Sequence, residues 1–165
     1  MHHSSEQLPV FVYGTLRTGQ NNWRRYLQGK TLAQRPAIAP DHKMYATNYA
    51  YVTDAPGWQI VGELVEIRPD CYERVMQDLD RLEDYDPLDP EHSLYVRVER
   101  EVLLIDAEPR RRLRAWIYHL NPRRHDSFSD ADLVAGGDWL YHCGQTNQGL
   151  PIICSINTQE RKDTQ

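Results

Sequence analysis

Two short stretches of this chain hold residues of the kind that bind an anion and move a proton. The first is Val10-Phe11-Val12-Tyr13-Gly14-Thr15-Leu16-Arg17. An apolar run ends in an aromatic residue and then a glycine, which adopts backbone angles closed to other residues. A strand that stops at such a turn leaves backbone N–H groups that must find acceptors, and a carboxylate is a natural one. The second stretch is Leu79-Asp80-Arg81-Leu82-Glu83-Asp84-Tyr85, at the end of the clearest helical pattern. Tyr72, Val75, Met76, Leu79 and Leu82 recur there at three- and four-residue spacing, which makes one apolar stripe. At about 100° per residue the stripe spans roughly 120° of the helix surface. Glu83 falls inside that arc, whereas Glu73 and Asp80 lie outside one edge and Asp78 outside the other. Of the acids on this helix, Glu83 alone is expected to point inward. Burial and the C-terminal end of the helix dipole both raise the pKa of such a carboxyl, which suits it to proton transfer near neutral pH. Two alternatives stay open: Glu83 swings into solvent at a fraying helix end, or it forms a buried ion pair with Arg97.

Tyr95 and Arg97 form a third candidate. They share one strand face with Glu99 and Glu101, opposite Val96, Val98, Val102 and Leu104, because side chains alternate along a strand. A face bearing an aromatic and a cation either lines a pocket or meets solvent. Other catalytic patterns are missing: there is no GxSxG elbow, P-loop, GxGxxG or HExxH. The histidines are scattered. His119 reads as a satisfied residue within a strand, and His142-Cys143 is too small a cluster for a metal site. Cys71, Cys143 and Cys154 form no CxxC pair. Neither a metal nor a cofactor is expected.

The elements that must position these residues are mostly strands. Leu8–Tyr13 predicts a buried first strand and Asn22–Gln28 a helical turn. In Thr31–Tyr51, Pro36 and Pro40 limit the expectation to short strands. Trp58–Ile67 leaves few polar positions and predicts a strand covered on both faces. Cys71–Glu83 is the helix, with Asp70 as N-cap and Glu73 completing a capping box. An acidic, proline-broken loop follows, then strands over Leu94–Ile105 and Arg114–Leu120, a loop over Asn121–Gly137, and an apolar segment over Asp138–Cys143. Pro151–Ile156 is one further short strand candidate. Strands and helices do not alternate regularly, which argues against a doubly wound sheet. The expectation is an α+β domain or a small barrel with attached helices, over residues 8–143, with residues 144–165 as a partly frayed extension.

Composition narrows the function classes. A chain of 165 residues, 40% apolar and 26% charged, suits one globular domain. Its net charge of −5 gives no pull toward nucleic acid or an anionic membrane. Seven arginines between Arg100 and Arg124 read as a solvated strand face rather than a phosphate-binding patch. Met1–Gln7 lacks an apolar signal region, and no apolar run approaches bilayer length. Together with an odd cysteine count these features lead to the expectation of a reducing, cytoplasmic setting.

The two opening stretches, taken together, resemble the γ-glutamylcyclotransferase-like family, which includes γ-glutamylamine cyclotransferases and AIG2-like proteins. Five motifs carry the resemblance in family order: Tyr13–Leu16 as the YGTL turn, Gly19 with Asn22, Gly62-Glu63, Leu79–Tyr85 as the "LDxLEgY" helix end, and Tyr95-Val96-Arg97. The resemblance implies a small mixed β-barrel with flanking helices and no metal or cofactor. It implies that the amides around Gly14, Thr15 and Leu16 hold a substrate α-carboxylate, with Tyr13, Tyr95 and Arg97 as further substrate-binding residues. It implies that Glu83 is the catalytic acid/base in release of 5-oxoproline from a small-molecule γ-glutamyl substrate. The chain departs from the family at Asp84, which replaces the usual glycine, in the longer Ala39–Pro56 region, and from Gly144 onward. The YGTL form, against the YGSL form of the glutathione-specific branch, disfavours glutathione. Two other functions remain on the same fold: a non-catalytic small-molecule binding module, and γ-glutamyl acyl transfer or hydrolysis.

Overall fold

Two long strands carry most of the sheet. In a computed structural model, which describes residues 6–146, β2 (Thr31–Ala46) and β3 (Ala50–Ile67) form one hairpin paired from Thr31↔Ile67 to Ala46↔Ala50. The expectation of short strands around Pro36 and Pro40 is therefore overturned. A proline removes a ladder donor but leaves its carbonyl, and the Pro36 oxygen accepts from the Ile105 amide at 3.2 Å. Pro40 lies at a register shift where Asp41 takes φ 60°. Such a bulge bends a strand without ending it. Across the bulge Gly57, at φ 86°, donates its amide to Asp41 Oδ1 at 3.0 Å.

Five strands close into a ring in the order β1-β3-β2-β4-β5, with β1 Val10–Val12, β4 Tyr95–Leu104 and β5 Arg111–Leu120. Neighbours are antiparallel except β1 and β5, which run parallel through Val10↔Trp116. The result is the expected small mixed barrel with flanking helices. Alternation divides side chains between two cores. Phe11, Ile60, Leu64, Val102, Leu104 and Ile117 belong to one, and Val10, Val12, Val65, Ile67 and Leu120 to the other. Gly62 makes the close contact of β3 with β1 possible. A Cβ there would stand 2.2 Å from the Val12 carbonyl oxygen and 2.8 Å from Phe11 Cζ.

The second core is completed by helices α1 (Asn21–Tyr26) and α2 (Tyr72–Leu82). The stripe of Tyr72, Val75, Met76, Leu79 and Leu82 is buried, as its spacing predicts. The helix start differs from expectation. A 3-10 turn, Pro69–Cys71, precedes α2, Cys71 takes the cap position without a side-chain bond, and Asp70 pairs with Arg68 at 2.7 Å. The helix end explains a departure from the family pattern. Asp84 donates its amide to the Arg81 oxygen and Tyr85 to the Asp80 oxygen, while Asp84 adopts φ 53°. This is a Schellman ending, whose left-handed residue is usually glycine. A third helix, α3 (Trp139–Thr146), begins at the apolar segment predicted over Asp138–Cys143. No helix among the described residues is long and apolar enough to cross a membrane. The Pro151–Ile156 strand candidate lies outside the described residues.

Candidate active site

Glu63 ties down the turn after β1. Its Oε1 accepts from the Thr18 amide at 3.1 Å, the Thr18 hydroxyl at 2.6 Å and Gln34 Nε2 at 3.0 Å. Its Oε2 accepts from Arg17 Nε at 3.1 Å, and Arg17 also reaches Asp138 Oδ1 at 2.8 Å. Burial pushes the Glu63 carboxyl up, but the Thr18 and Arg17 donors outweigh it and leave the group below its ordinary range. From the other side, Asn22 of α1 donates Nδ2 to Thr15 Oγ1 at 2.9 Å, and the Trp23 amide bonds the Thr15 oxygen. The Tyr13–Leu16 segment is thus clamped from both flanks. Gly14 does not use a left-handed angle, in contrast to Gly19, Gly29, Gly57 and Gly137. Its missing side chain leaves room instead: a Cβ would sit 3.7 Å from Trp139 Cδ1, and anything larger would fill the adjoining cavity.

That cavity brings the two halves of the sequence reading together. Tyr13, Gly14, Thr15 and Leu16 line it, as do Leu82 and Glu83 at the end of α2. Tyr95 lines it too, with its hydroxyl donating to the Ala50 oxygen at 2.9 Å. Asn22, Tyr49, Tyr118 and Trp139 also contribute walls. Of these, Asn22 was legible as a family motif, whereas Tyr49, Tyr118 and Trp139 are brought in by tertiary packing alone. Among the described lining residues Glu83 is the single charged side chain.

Arg97 does not line the cavity. It sits behind it, with Nε 3.5 Å from Asp80 Oδ1 and its guanidinium 4.8 Å from the Trp116 ring centroid. The face shared with Glu99 and Glu101 therefore divides. Tyr95 turns to the cavity, Arg97 to Asp80, and the two glutamates to exposed pairs with Arg114 and Arg112. The helical wheel placed Asp80 outside the inward arc, yet Asp80 is only 9% exposed. It accepts the Tyr118 hydroxyl at 2.6 Å. Burial raises its pKa against the opposing influence of Tyr118 and Arg97. Burial also pushes the Tyr118 phenol well up, helped by the Asp80 charge and hydrogen bond. Glu83 is thus not the only inward acid of α2, and the cation considered for Glu83 pairs with Asp80.

His42, Asp54 and His119 form the one group of metal-type donors that converges among the described residues. His42 Nδ1 lies 2.8 Å from the Pro40 oxygen and its Nε2 2.8 Å from His119 Nε2. Asp54 is gripped by Arg100 through both carboxylate oxygens, at 2.9 and 2.7 Å. Burial lowers both imidazoles, His119 to about 3. The pair is a neutral, hydrogen-bonded buried unit, in line with the sequence reading of His119.

The family model described as "Gamma-glutamyl cyclotransferase, AIG2-like" matches residues 10–141. The chain belongs to this family. Solved structures of similar fold agree with the cyclotransferase assignment at the level of architecture. YkqA from Bacillus subtilis is 22% identical with a TM-score of 0.58 over 84% of this chain, which spans 42% of that protein's length. An AIG2-like protein from Mus musculus is 20% identical with a TM-score of 0.54, over 80% of this chain and 87% of its own. PH0828 from Pyrococcus horikoshii is 18% identical with a TM-score of 0.53, over 84% of this chain and 95% of its own. No curated protein matches the chain significantly. At these identities the likeness establishes the γ-glutamyl cyclotransferase fold.

Proposed function

We propose that this chain is an enzyme that releases 5-oxoproline from a γ-glutamyl amine or peptide, with Glu83 as general acid/base. The reading rests on one observation above others. The Tyr13–Leu16 turn and Glu83, separated by most of the first half of the sequence, line the same cavity. The turn holds the α-carboxylate of the glutamyl group through backbone N–H groups. Glu83 takes a proton from the α-amino group, and the nitrogen attacks the γ-carbonyl carbon to close a five-membered ring. The bond to the leaving nitrogen breaks as Glu83 returns the proton to it. Ring closure depends more on orientation than on a strong nucleophile, so a rigid site supplies much of the rate. A single carboxyl suffices for both proton transfers.

Tyr95 borders the glutamyl group, and Arg97 acts from behind through Asp80 rather than on the substrate. Among the described residues the cavity has aromatic walls and one charged side chain, an acid, which supports a leaving amine without a carboxylate of its own. The test is a panel of γ-glutamyl amines and peptides, assayed by mass spectrometry with wild type and Glu83→Gln. The expected result is 5-oxoproline from wild type and a kcat lower by about 10²-fold or more in the variant. Free glutamate or a new conjugate would indicate hydrolysis or acyl transfer. Melting shifts with γ-glutamyl compounds but no product would indicate a binding module, and would overturn the proposal.

A further inference from the structure

We infer that Tyr118 is a positioning residue: a strut that fixes the distance between the turn and Glu83, with Asp80 as its anchor on α2. The inference rests on the cyclotransferase reading above. Tyr118 is buried in β5 and lines the cavity. Its backbone oxygen accepts the Tyr13 hydroxyl at 2.6 Å, at the first residue of the turn. Its own hydroxyl donates to Asp80 Oδ1 at 2.6 Å, three residues before Glu83. One residue therefore holds both halves of the site, at opposite ends of its own length.

Asp80 is placed at some energetic cost. A buried carboxylate is expensive, and an apolar side chain of similar size often serves a core as well or better. Its surroundings keep the acceptor in place: the Tyr118 hydroxyl on one side, and the Arg97 guanidinium at 3.5 Å on the other. Arg97 is itself fixed between the Trp116 and Tyr85 rings, at 4.8 and 5.9 Å. The hydroxyl proton of Tyr118 is committed to Asp80. Displacing a reacting group by about 1 Å costs on the order of 10²-fold in rate, so a strut of this kind acts on kcat.

The test is steady-state kinetics of 5-oxoproline release for wild type, Glu83→Gln, Tyr118→Phe, Asp80→Asn and Asp80→Ala, with melting temperatures alongside. Tyr118→Phe keeps the ring and loses the bond to Asp80. Its expected kcat is at least about tenfold lower, with KM changed less than about threefold. Asp80→Asn keeps an oxygen for the hydroxyl and is expected within about threefold of wild type, whereas Asp80→Ala falls with Tyr118→Phe. The strut is refuted if wild type is active and Glu83→Gln inactive while Tyr118→Phe keeps its kcat within twofold. It is also refuted if Asp80→Asn is as damaged as Asp80→Ala. A wild type that turns over no γ-glutamyl compound overturns the cyclotransferase reading, and the strut with it. Should Tyr118→Phe be unfolded at the assay temperature, Tyr13→Phe removes the other bond and is judged by the same kcat and KM criterion.

Discussion

Replacing Glu63 by glutamine isolates the contribution of the clamp beneath the turn. The carboxylate accepts four hydrogen bonds, from the Thr18 amide and hydroxyl, Gln34 and Arg17. A glutamine whose oxygen takes the place of Oε1 keeps three of them in weaker, neutral form. It sets its own NH2 against the Arg17 guanidinium, where Oε2 had stood at 3.1 Å. Arg17 and Glu63 are each only 14% exposed at the side chain, so solvent screens little of the loss. A hydrogen bond between charged groups contributes about 1.5–3 kcal/mol. With weakening of the other three, the expected cost is about 3 kcal/mol, or about 6–12 °C in Tm for a domain of this size. The effect also has a pH signature. The folded carboxyl stands below its ordinary value of 4.5, so its contribution is fully present above that value and fades as pH falls through the folded pKa. Glutamine resembles the protonated acid, so the gap between wild type and variant should narrow on acidification below about pH 4.5. Thermal unfolding at pH 7 and pH 4, followed by circular dichroism, measures both quantities. A Tm difference under about 2 °C at pH 7, or a gap that does not change with pH, would refute the clamp.

Two further outcomes follow from local geometry. Asp84→Gly places glycine at the left-handed helix-ending position, at φ 53°. It should stabilise the fold by about 0.5–1 kcal/mol after allowing for the more flexible unfolded chain, seen as a Tm higher by about 1–4 °C. The buried His119 imidazole has its pKa lowered from 6.5 to about 3 by desolvation and the His42 neighbour. The unfolded chain therefore binds a proton that the folded one refuses, and stability falls as pH drops from 6.5 toward 3. Urea unfolding at pH 7.5 and pH 5 should show a smaller loss in His119→Gln than in wild type; equal losses would count against the neutral pair.

Much of the site was legible in the sequence because its parts are local. The apolar stripe of α2 depends on residues within one helix, and it placed Glu83 toward the interior, where the residue lines the cavity. An apolar run that meets a glycine located the Tyr13–Leu16 turn, although Gly14 keeps an ordinary backbone angle and its missing side chain leaves room beside Trp139. The long β2 strand was not legible, because a bulge at Pro40 exists only in register with a partner at Gly57. Asp80 was misplaced for a related reason. A helical wheel knows the helix's own stripe, but not that Tyr118 on β5 presents a hydroxyl just beyond its edge.

The sequence by itself determined the class of domain, the amphipathic helix α2, and two segments whose residue types suit anion binding and proton transfer. Those follow from backbone periodicity and from the chemistry of single residues. Only the tertiary structure decided which residues share a wall. Strand alternation assigned Tyr95 and Arg97 to one face, yet barrel closure and the packing of α2 send one to the cavity and the other to Asp80. Trp139 and Tyr49 reach the same cavity from distant elements. Periodicity reports the direction of a side chain relative to its own element, whereas a site depends on how elements are placed against one another.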